Sequence, residues 1–384
     1  MDRISVTHRT PTGRRNYTRW PLAAAAALTA AASAVVPGTA ALAAPTRTAH
    51  LQSSPVAALP RASATQQRAT LAYWTPQRMA EAKSFDILSD GHAGPATAPT
   101  ADPYAGKPEM LPGGLPTDAS VVDSAGFLDR PSAAASSIFA EVPVTLTTTY
   151  PYRMNGKIFF TWNGEQGQCS GTSVLSYQGS SDEDEVWTAG HCLVNSEGQA
   201  DGIYATNIEF VPAYDGSAST FAARYPFGVF AYAAAMTTTA WLDNADDSQD
   251  EAAFVVGRNS VGQTLGQAVG EEGFAWNQSD TEYFTAFGYP AASPFTGTSM
   301  YKDIALTDTT FPLPGRAGRP AIGIVSPMTQ GSSGGAWNID WSTTNAGYID
   351  GHNDFTNPSY PGVMFSPYQD SLANMVRCFG ASSC

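Results

Sequence analysis

Cysteine is scarce: four in 384 residues are too few for a disulfide-dense scaffold, and no Cys-x-x-Cys pair occurs on which a structural zinc site could be built. Basic residues are scarce where they matter most. From residue 141 onward there are eight Lys and Arg against 25 Asp and Glu, a balance that argues against nucleic acid or an anionic membrane as partner. Long hydrophobic runs are missing as well. The longest apolar stretch, Pro21 to Val36, is rich in Ala rather than Leu and falls short of the roughly 20 strongly apolar residues of a membrane span. Histidine is scarce too: of five, only His191 and His352 fall in the acidic part.

What is present divides the chain. Arg3, Arg9, Arg14, Arg15 and Arg19 precede that apolar stretch, and Ala41-Leu42-Ala43-Ala44 follows it. This order predicts a cleaved secretory signal peptide over 1–44, a secreted, extracellular product, and no membrane contact afterwards. Residues 45–144 are low-complexity Ala, Pro, Thr and Ser, expected to be a largely irregular pro-region or linker. Within it, Met79, Ala82, Phe85 and Leu88 recur at helical spacing and predict a short amphipathic helix from Arg78 to Leu88.

Residues 145–384 have another texture. Short apolar runs (Ile158-Phe159-Phe160, Glu185 to Thr188, Ile203 to Val211, Phe227 to Tyr232, Ala252 to Val256, Ala321 to Val325) alternate with Gly, Pro, Asn, Asp and Ser. That pattern predicts an all-β domain of antiparallel sandwich or barrel type. One helix is expected at the end, where Leu372, Met375, Val376 and Phe379 form one apolar face. Export and an even cysteine count favour disulfides, and four cysteines allow three pairings. We expect Cys169 with Cys192 and Cys378 with Cys384, the first closing a loop around His191 worth about 3 kcal/mol.

Two segments carry chemistry: Trp187-Thr188-Ala189-Gly190-His191-Cys192 and Gly331-Ser332-Ser333-Gly334-Gly335. A Ser hydroxyl needs a neighbouring imidazole to take its proton and amides to hold the resulting oxyanion. Glycines on both sides place Ser333 on a tight turn open to a carbonyl, with the Gly331 and Ser333 amides as the oxyanion donors. Ser332, the rival hydroxyl, falls on the wrong side of the turn. His191 is the expected base, and a buried carboxylate should orient it. Among Asp243, Asp246, Asp247, Asp250 and Glu251, Asp250 is best placed, directly before the apolar run starting at Ala252; Asp247 is second, and the others read as solvated loop.

Cys169-Ser170-Gly171-Thr172-Ser173-Val174, Trp-Thr-Ala-Gly-His-Cys, Asp250-x-Ala and Gly-x-Ser-Gly-Gly, in that order, resemble the chymotrypsin-type (trypsin-like) serine peptidases, and more closely their secreted bacterial branch, which includes glutamyl endopeptidases. The resemblance covers roughly 145–384. It implies two six-stranded antiparallel β-barrels, a cleft between them, a C-terminal helix, and peptide-bond hydrolysis through an acyl-enzyme by His191, Asp250 and Ser333. Neither a metal nor an organic cofactor is implied. The expected partners are a polypeptide substrate and an intramolecular pro-segment, with the enzyme itself a monomer. Tyr73 to Met79 also resembles a segment of exported actinobacterial members. Two positions depart from trypsin: Ser332 replaces the Asp that pairs with a new N-terminus, and Pro327 replaces the Asp that selects Arg and Lys. Pro327, Gln330 and His352 are the candidate substrate-binding residues, His352 because a histidine near that strand helps hold the substrate carboxylate in glutamyl endopeptidases. An esterase using the same triad and a non-catalytic binding protein on this fold are the alternatives.

Overall fold

The run Ile158-Phe159-Phe160 lacks the alternation of a strand with one wet face, and the fold explains why. In the computed structural model, which describes residues 54–84, 105–118, 137–177, 183–196, 203–307, 321–342, 345–381 and 384, the run lies in β1 (Asn155–Trp162), whose eight residues are all buried. Ile158 and Phe160 enter a barrel interior with Phe210, Phe230 and Phe254. Phe159 faces outward into another cluster with Trp74, Met79 and Tyr214, the Trp74 ring 5.4 Å away. Burying each such ring stabilises the fold by about 1.5–3 kcal/mol.

Six strands close the first barrel. β1 pairs with β2 (Glu165–Val174) through a two-residue turn, Asn163-Gly164, with φ of 48° and 87°, the positive dihedrals that an Asn-Gly hairpin turn supplies. β3 (Asp184–Thr188) follows β2, and β4 (Thr206–Pro212) lies on the other side of β1. β5 (Phe230–Thr238) pairs with both β4 and β6 (Ala252–Val256), and β6 returns to β3, so the ring has no free edge. All of these pairings are antiparallel.

The second half is built from β7 (Gly273–Trp276), β8 (Tyr283–Gly288), β9 (Tyr301–Leu306), β10 (Ile322–Val325), β11 (Ala336–Ile339), β12 (Tyr348–His352), β13 (Phe355–Thr356) and β14 (Val363–Ser366). β9, β8, β11 and β12 pair antiparallel in that order, while β14 pairs with β10 and β13. A bridge from Thr307 to Ile324 joins β9 to β10, and Asp354 N–H donates to Phe365 O at 3.0 Å where β12 runs on into β13. These links curl the strands around Phe284, Ala286, Ala305, Ile324, Trp337 and Met364. β7 adds alongside β12 in parallel.

The expected C-terminal helix is α3 below, Ser371–Arg377; Asp370 caps it by accepting from Leu372 N–H at 2.6 Å. Its Leu372, Ala373 and Val376 pack with Trp187, Ala253 and Phe274. Both expected disulfides, Cys169–Cys192 and Cys378–Cys384, are present.

The predicted leader, 1–44, lies outside the described residues. The described parts of 45–144 combine irregular stretches with short elements that dock on the barrels. Val56–Ala58 pairs antiparallel with β5, and Ser137–Glu141 with β9. Helix α1 (Ala64–Tyr73) starts at a capping box formed by Ser63 and Gln66. Helix α2 (Pro76–Glu81) has Thr75 as N-cap and Pro at its first position. The helix predicted over Arg78 to Leu88 therefore begins earlier and stops at Glu81. Ala82 turns extended, at φ −62° and ψ 128°, because Gln168 Nε2 donates to its carbonyl at 2.8 Å and Lys83–Ser84 pair with Gly167–Gln168 of β2. Phe85 to Leu88 lie outside the described residues. Among the described residues no helix is long and apolar enough to cross a membrane.

Candidate active site

His191 sits in a single turn, Gly190–Cys192, just after β3. The turn must carry Gly at position 190, because a side chain there would meet Asp250 Oδ1 at 2.7 Å, Trp241 Cδ1 at 2.7 Å and Thr237 Oγ1 at 3.0 Å. That space lets the Asp250 carboxylate grip the turn twice. Oδ1 accepts from the His191 backbone N–H and Oδ2 faces His191 Nδ1, both at 2.7 Å. Both side chains are buried, at 3% and 1% exposure. With Nδ1 engaged by the carboxylate, Nε2 is the ring nitrogen free to exchange a proton, and no described group hydrogen-bonds it.

Asp250 is itself pinned. Thr237 Oγ1 donates to Glu251 O at 2.8 Å and Thr238 Oγ1 to Gln249 O at 2.5 Å, fixing the backbone on either side of it. Two neighbouring acids differ from expectation: Asp246 and Glu251 are buried rather than solvated, whereas Asp243 is exposed as expected. Asp247, the second candidate for the orienting carboxylate, is buried as well. Asp246 caps a turn by accepting from Ser248 N–H and Oγ–H, at 3.2 and 2.7 Å. Burial, with Asp370 and Asp250 adding repulsion, pushes the Glu251 carboxyl well above the usual range.

The serine turn comes from the other half of the molecule. Gly331 and Gly334 have φ of 94° and 81°, conformations open to glycine at little steric cost. Ser333 O accepts from Ser170 N–H at 2.7 Å and lies 3.7 Å from Cys192 Sγ, which sets this turn against β2 and the histidine turn. Ser332 is wholly buried and its hydroxyl has no partner among the described residues, whereas Ser333 keeps 8% exposure. Amide orientation follows from carbonyl orientation, because N–H and C=O point in opposite directions across a trans peptide. Gln330 O accepts from Ala291 N–H at 2.7 Å, and Ser332 O from Asn353 Nδ2 and Gly335 N–H at 3.2 and 3.0 Å. The Gly331 and Ser333 N–H groups are thereby turned the other way. Ser332, Gly334 and Gly335 spend their own N–H groups on Thr329, Asn353 and Ser332 carbonyls.

One short stretch, His352-Asn353-Asp354, ties the two turns together. His352 Nε2 lies 3.0 Å from Asp250 O, with Trp187 packed 6.0 Å from its ring. Burial lowers its pKa to about 4, so the ring is neutral and its Nε2–H donates to that carbonyl. Asn353 N–H donates to Gly335 O at 2.8 Å and Asn353 O accepts from Gly334 N–H at 2.7 Å, while its side chain spans Ser332 O, Phe287 O and Trp337 Nε1. Asp354 Oδ1 is 3.3 Å from His191 Nδ1. His352 is one of the three substrate-binding candidates, whereas Asn353 and Asp354 belong to no motif and escape a reading of the sequence. Of the other two substrate-binding candidates, Pro327 is exposed and Gln330 half-buried.

Among the described residues two clusters have the donor types of metal sites. Cys169, His191 and Cys192 converge, but the disulfide consumes both thiolates. His191, Asp250 and Asp354 bring their ligand atoms within 4.8 Å of one another.

A closed antiparallel barrel, a second set of curled strands, a terminal helix, and a histidine turn from one half set against a serine turn from the other define a chymotrypsin-type serine peptidase fold. Comparison with solved structures agrees. The chain is 34% identical to protease Anisep from Arthrobacter nicotinovorans, with a TM-score of 0.51 over 60% of this chain and 96% of that one. It is 30% identical to AL20, a thermostable serine protease from an extremophilic microorganism, with a TM-score of 0.50 over 63% of this chain and all of that one. The chain belongs to the chymotrypsin-type serine peptidases. A glutamyl endopeptidase is similar at 15% identity and a TM-score of 0.44, a distance that says nothing of specificity. No family model and no curated protein matches.

Proposed function

We propose that the protein is a secreted serine endopeptidase, made as a precursor, that hydrolyses peptide bonds through an acyl-enzyme. Ser333 Oγ attacks the scissile carbonyl as His191 Nε2 takes its proton. The Gly331 and Ser333 amides receive the oxyanion. The imidazolium then passes the proton to the leaving amine, and a water activated the same way releases the acid. Asp250 holds the ring in the Nδ1–H tautomer and stabilises its charged form. The observation that carries this reading is the pair of hydrogen bonds that Asp250 accepts from the His191 backbone N–H and ring Nδ1, with the serine turn packed against Cys192 beside that histidine.

Polypeptides are the proposed substrate, since the two most informative relatives are named as proteases. The proposed domain division is a leader over 1–44, a pro-region over 45–144 and a peptidase domain over 145–384, with a monomeric product. Pro327 and Gln330 are the proposed first-pocket residues. For His352 we propose a different task from substrate binding, support of the Asp250 backbone, because its ring is 1% exposed and already donates to Asp250 O. The test is casein or peptide hydrolysis by the purified chain and by Ser333→Ala. The variant should lose activity by about a millionfold with unchanged circular dichroism; a folded variant that still cleaves refutes the assignment.

A further inference from the structure

Asp354 has no place in the mechanism above, yet it is built into its centre. Its side chain is 0% exposed, and Oδ1 lies 3.3 Å from His191 Nδ1, the same nitrogen that Asp250 Oδ2 approaches at 2.7 Å. The backbone holds it there from both sides. Asp354 N–H donates to Phe365 O, and the preceding Asn353 is locked to Gly334 and Gly335. Neither oxygen of Asp354 receives a conventional hydrogen bond from a described group, since the Nδ1–H of His191 is directed at Asp250.

The charges around Asp354 define its state. From the loop before β6 it faces Asp247, Asp250 and Glu251, all acids; from the histidine turn it faces His191; two residues before it, at the end of β12, stands the neutral His352. The ligand atoms of the two carboxyls lie within 4.8 Å of each other, and with no Lys or Arg among these described neighbours and no donor for one of them, they meet favourably with a proton between them. Burial and then the negative charge of Asp250 push Asp354 well above the ordinary carboxylate range, while Asp250 keeps its two contacts with the His191 backbone N–H and Nδ1.

We propose that Asp354 is a positioning residue of the catalytic apparatus, a neutral carboxylic acid that donates a hydrogen bond to Asp250 and holds that carboxylate in register with His191. The triad then works as a tetrad in which one shared proton stays on the acid pair throughout. When His191 takes the Ser333 proton, the pair carries a single negative charge before and after, and the second carboxyl limits the swing of Asp250 without adding charge. This deepens the proposed peptidase mechanism and rests on it, so the test includes a readout that needs no turnover.

The experiment compares wild type, Asp354→Asn and Asp354→Ala in the full chain. The Asn amide can still donate to Asp250 and carries no charge. Two measurements are made: the pH profile of kcat/KM on a peptide substrate, and the titration of the His191 ring by NMR, assigned through a His191 variant. For Asp354→Asn we expect most of kcat to survive and both the acid limb and the His191 titration to stay where they are in wild type. For Asp354→Ala we expect kcat to fall by about 10- to 100-fold with KM little changed, as a carboxylate released from its register would produce. A downward shift of the His191 titration by about one unit or more in Asp354→Asn overturns the proposal, because it means a charge was removed. Wild-type kcat in Asp354→Ala overturns it as well. If the Ala variant fails to fold, the Asn variant decides. If the wild type cleaves no peptide, the peptidase reading fails, while the NMR titration still decides the state of Asp354.

Discussion

Acidification should destabilise the folded chain through His352 in a way that can be isolated. The ring is 1% exposed and its pKa falls from 6.5 to about 4 on burial, the desolvation cost of the cation outweighing its attraction to Asp250. A histidine with a depressed folded pKa contributes stability that is fully present above the unfolded value and is lost as pH falls from 6.5 towards 4, since the unfolded chain binds the extra proton. The size of the shift corresponds to about 3 kcal/mol between pH 7 and pH 4. The raw stability curve hides this. Glu185, Glu209, Glu251, Glu272 and Asp350 are all pushed well above their ordinary values by burial. Those acids contribute stability at low pH that fades as pH rises, the opposite sign. The comparison must therefore be between wild type and His352→Gln, whose amide can still donate to Asp250 O but cannot titrate. Urea unfolding followed by tryptophan fluorescence at pH 7 and pH 4 gives two differences. Wild type should lose about 3 kcal/mol more than the variant on acidification. A gap under about 1 kcal/mol refutes the reasoning, for it means the ring takes up protons normally and so is open to solvent, as a pocket-wall histidine would be.

Further outcomes follow from the two turns. Gly334→Ala should cost about 2–4 kcal/mol and abolish activity, since the new methyl meets Thr188 Oγ1 and the Ser170 carbonyl at a φ of 81°; differential scanning calorimetry and a peptide assay check both, and a stable active variant contradicts the turn geometry. Replacing Cys169 and Cys192 together by Ser opens a link spanning 23 positions and should lower stability by about 3 kcal/mol, measured by urea unfolding. An unchanged midpoint means the bridge adds nothing to the rigidity of the histidine turn.

Much of the site was legible because its members sit in short motifs. Gly190 and His191 share one, Gly331 to Gly335 form another, and Asp250 stands at the mouth of an apolar run. The strands were legible for a related reason: β1, β3, β6 and β10 are apolar runs bounded by turn formers. The rest depended on tertiary packing that leaves no local trace. Asp246 and Glu251 look solvated in a stretch crowded with acids, yet the fold buries both. Asn353 and Asp354 are single polar residues whose partners lie on other strands and turns. The end of α2 at Glu81 likewise follows from a sheet edge far along the chain, β2, which captures Lys83 and Ser84.

The central claim is that Ser333 is a nucleophile activated by the His191–Asp250 pair. A fluorophosphonate probe reacts with a serine only when a base and an oxyanion site are in place. Labelling the purified full chain and mapping the adduct by peptide mass spectrometry tests this directly. One phosphonylated residue, Ser333, is expected, with labelling lost in His191→Ala and strongly reduced in Asp250→Asn. A correctly folded protein that does not label, or that labels at Ser332 instead, contradicts the claim.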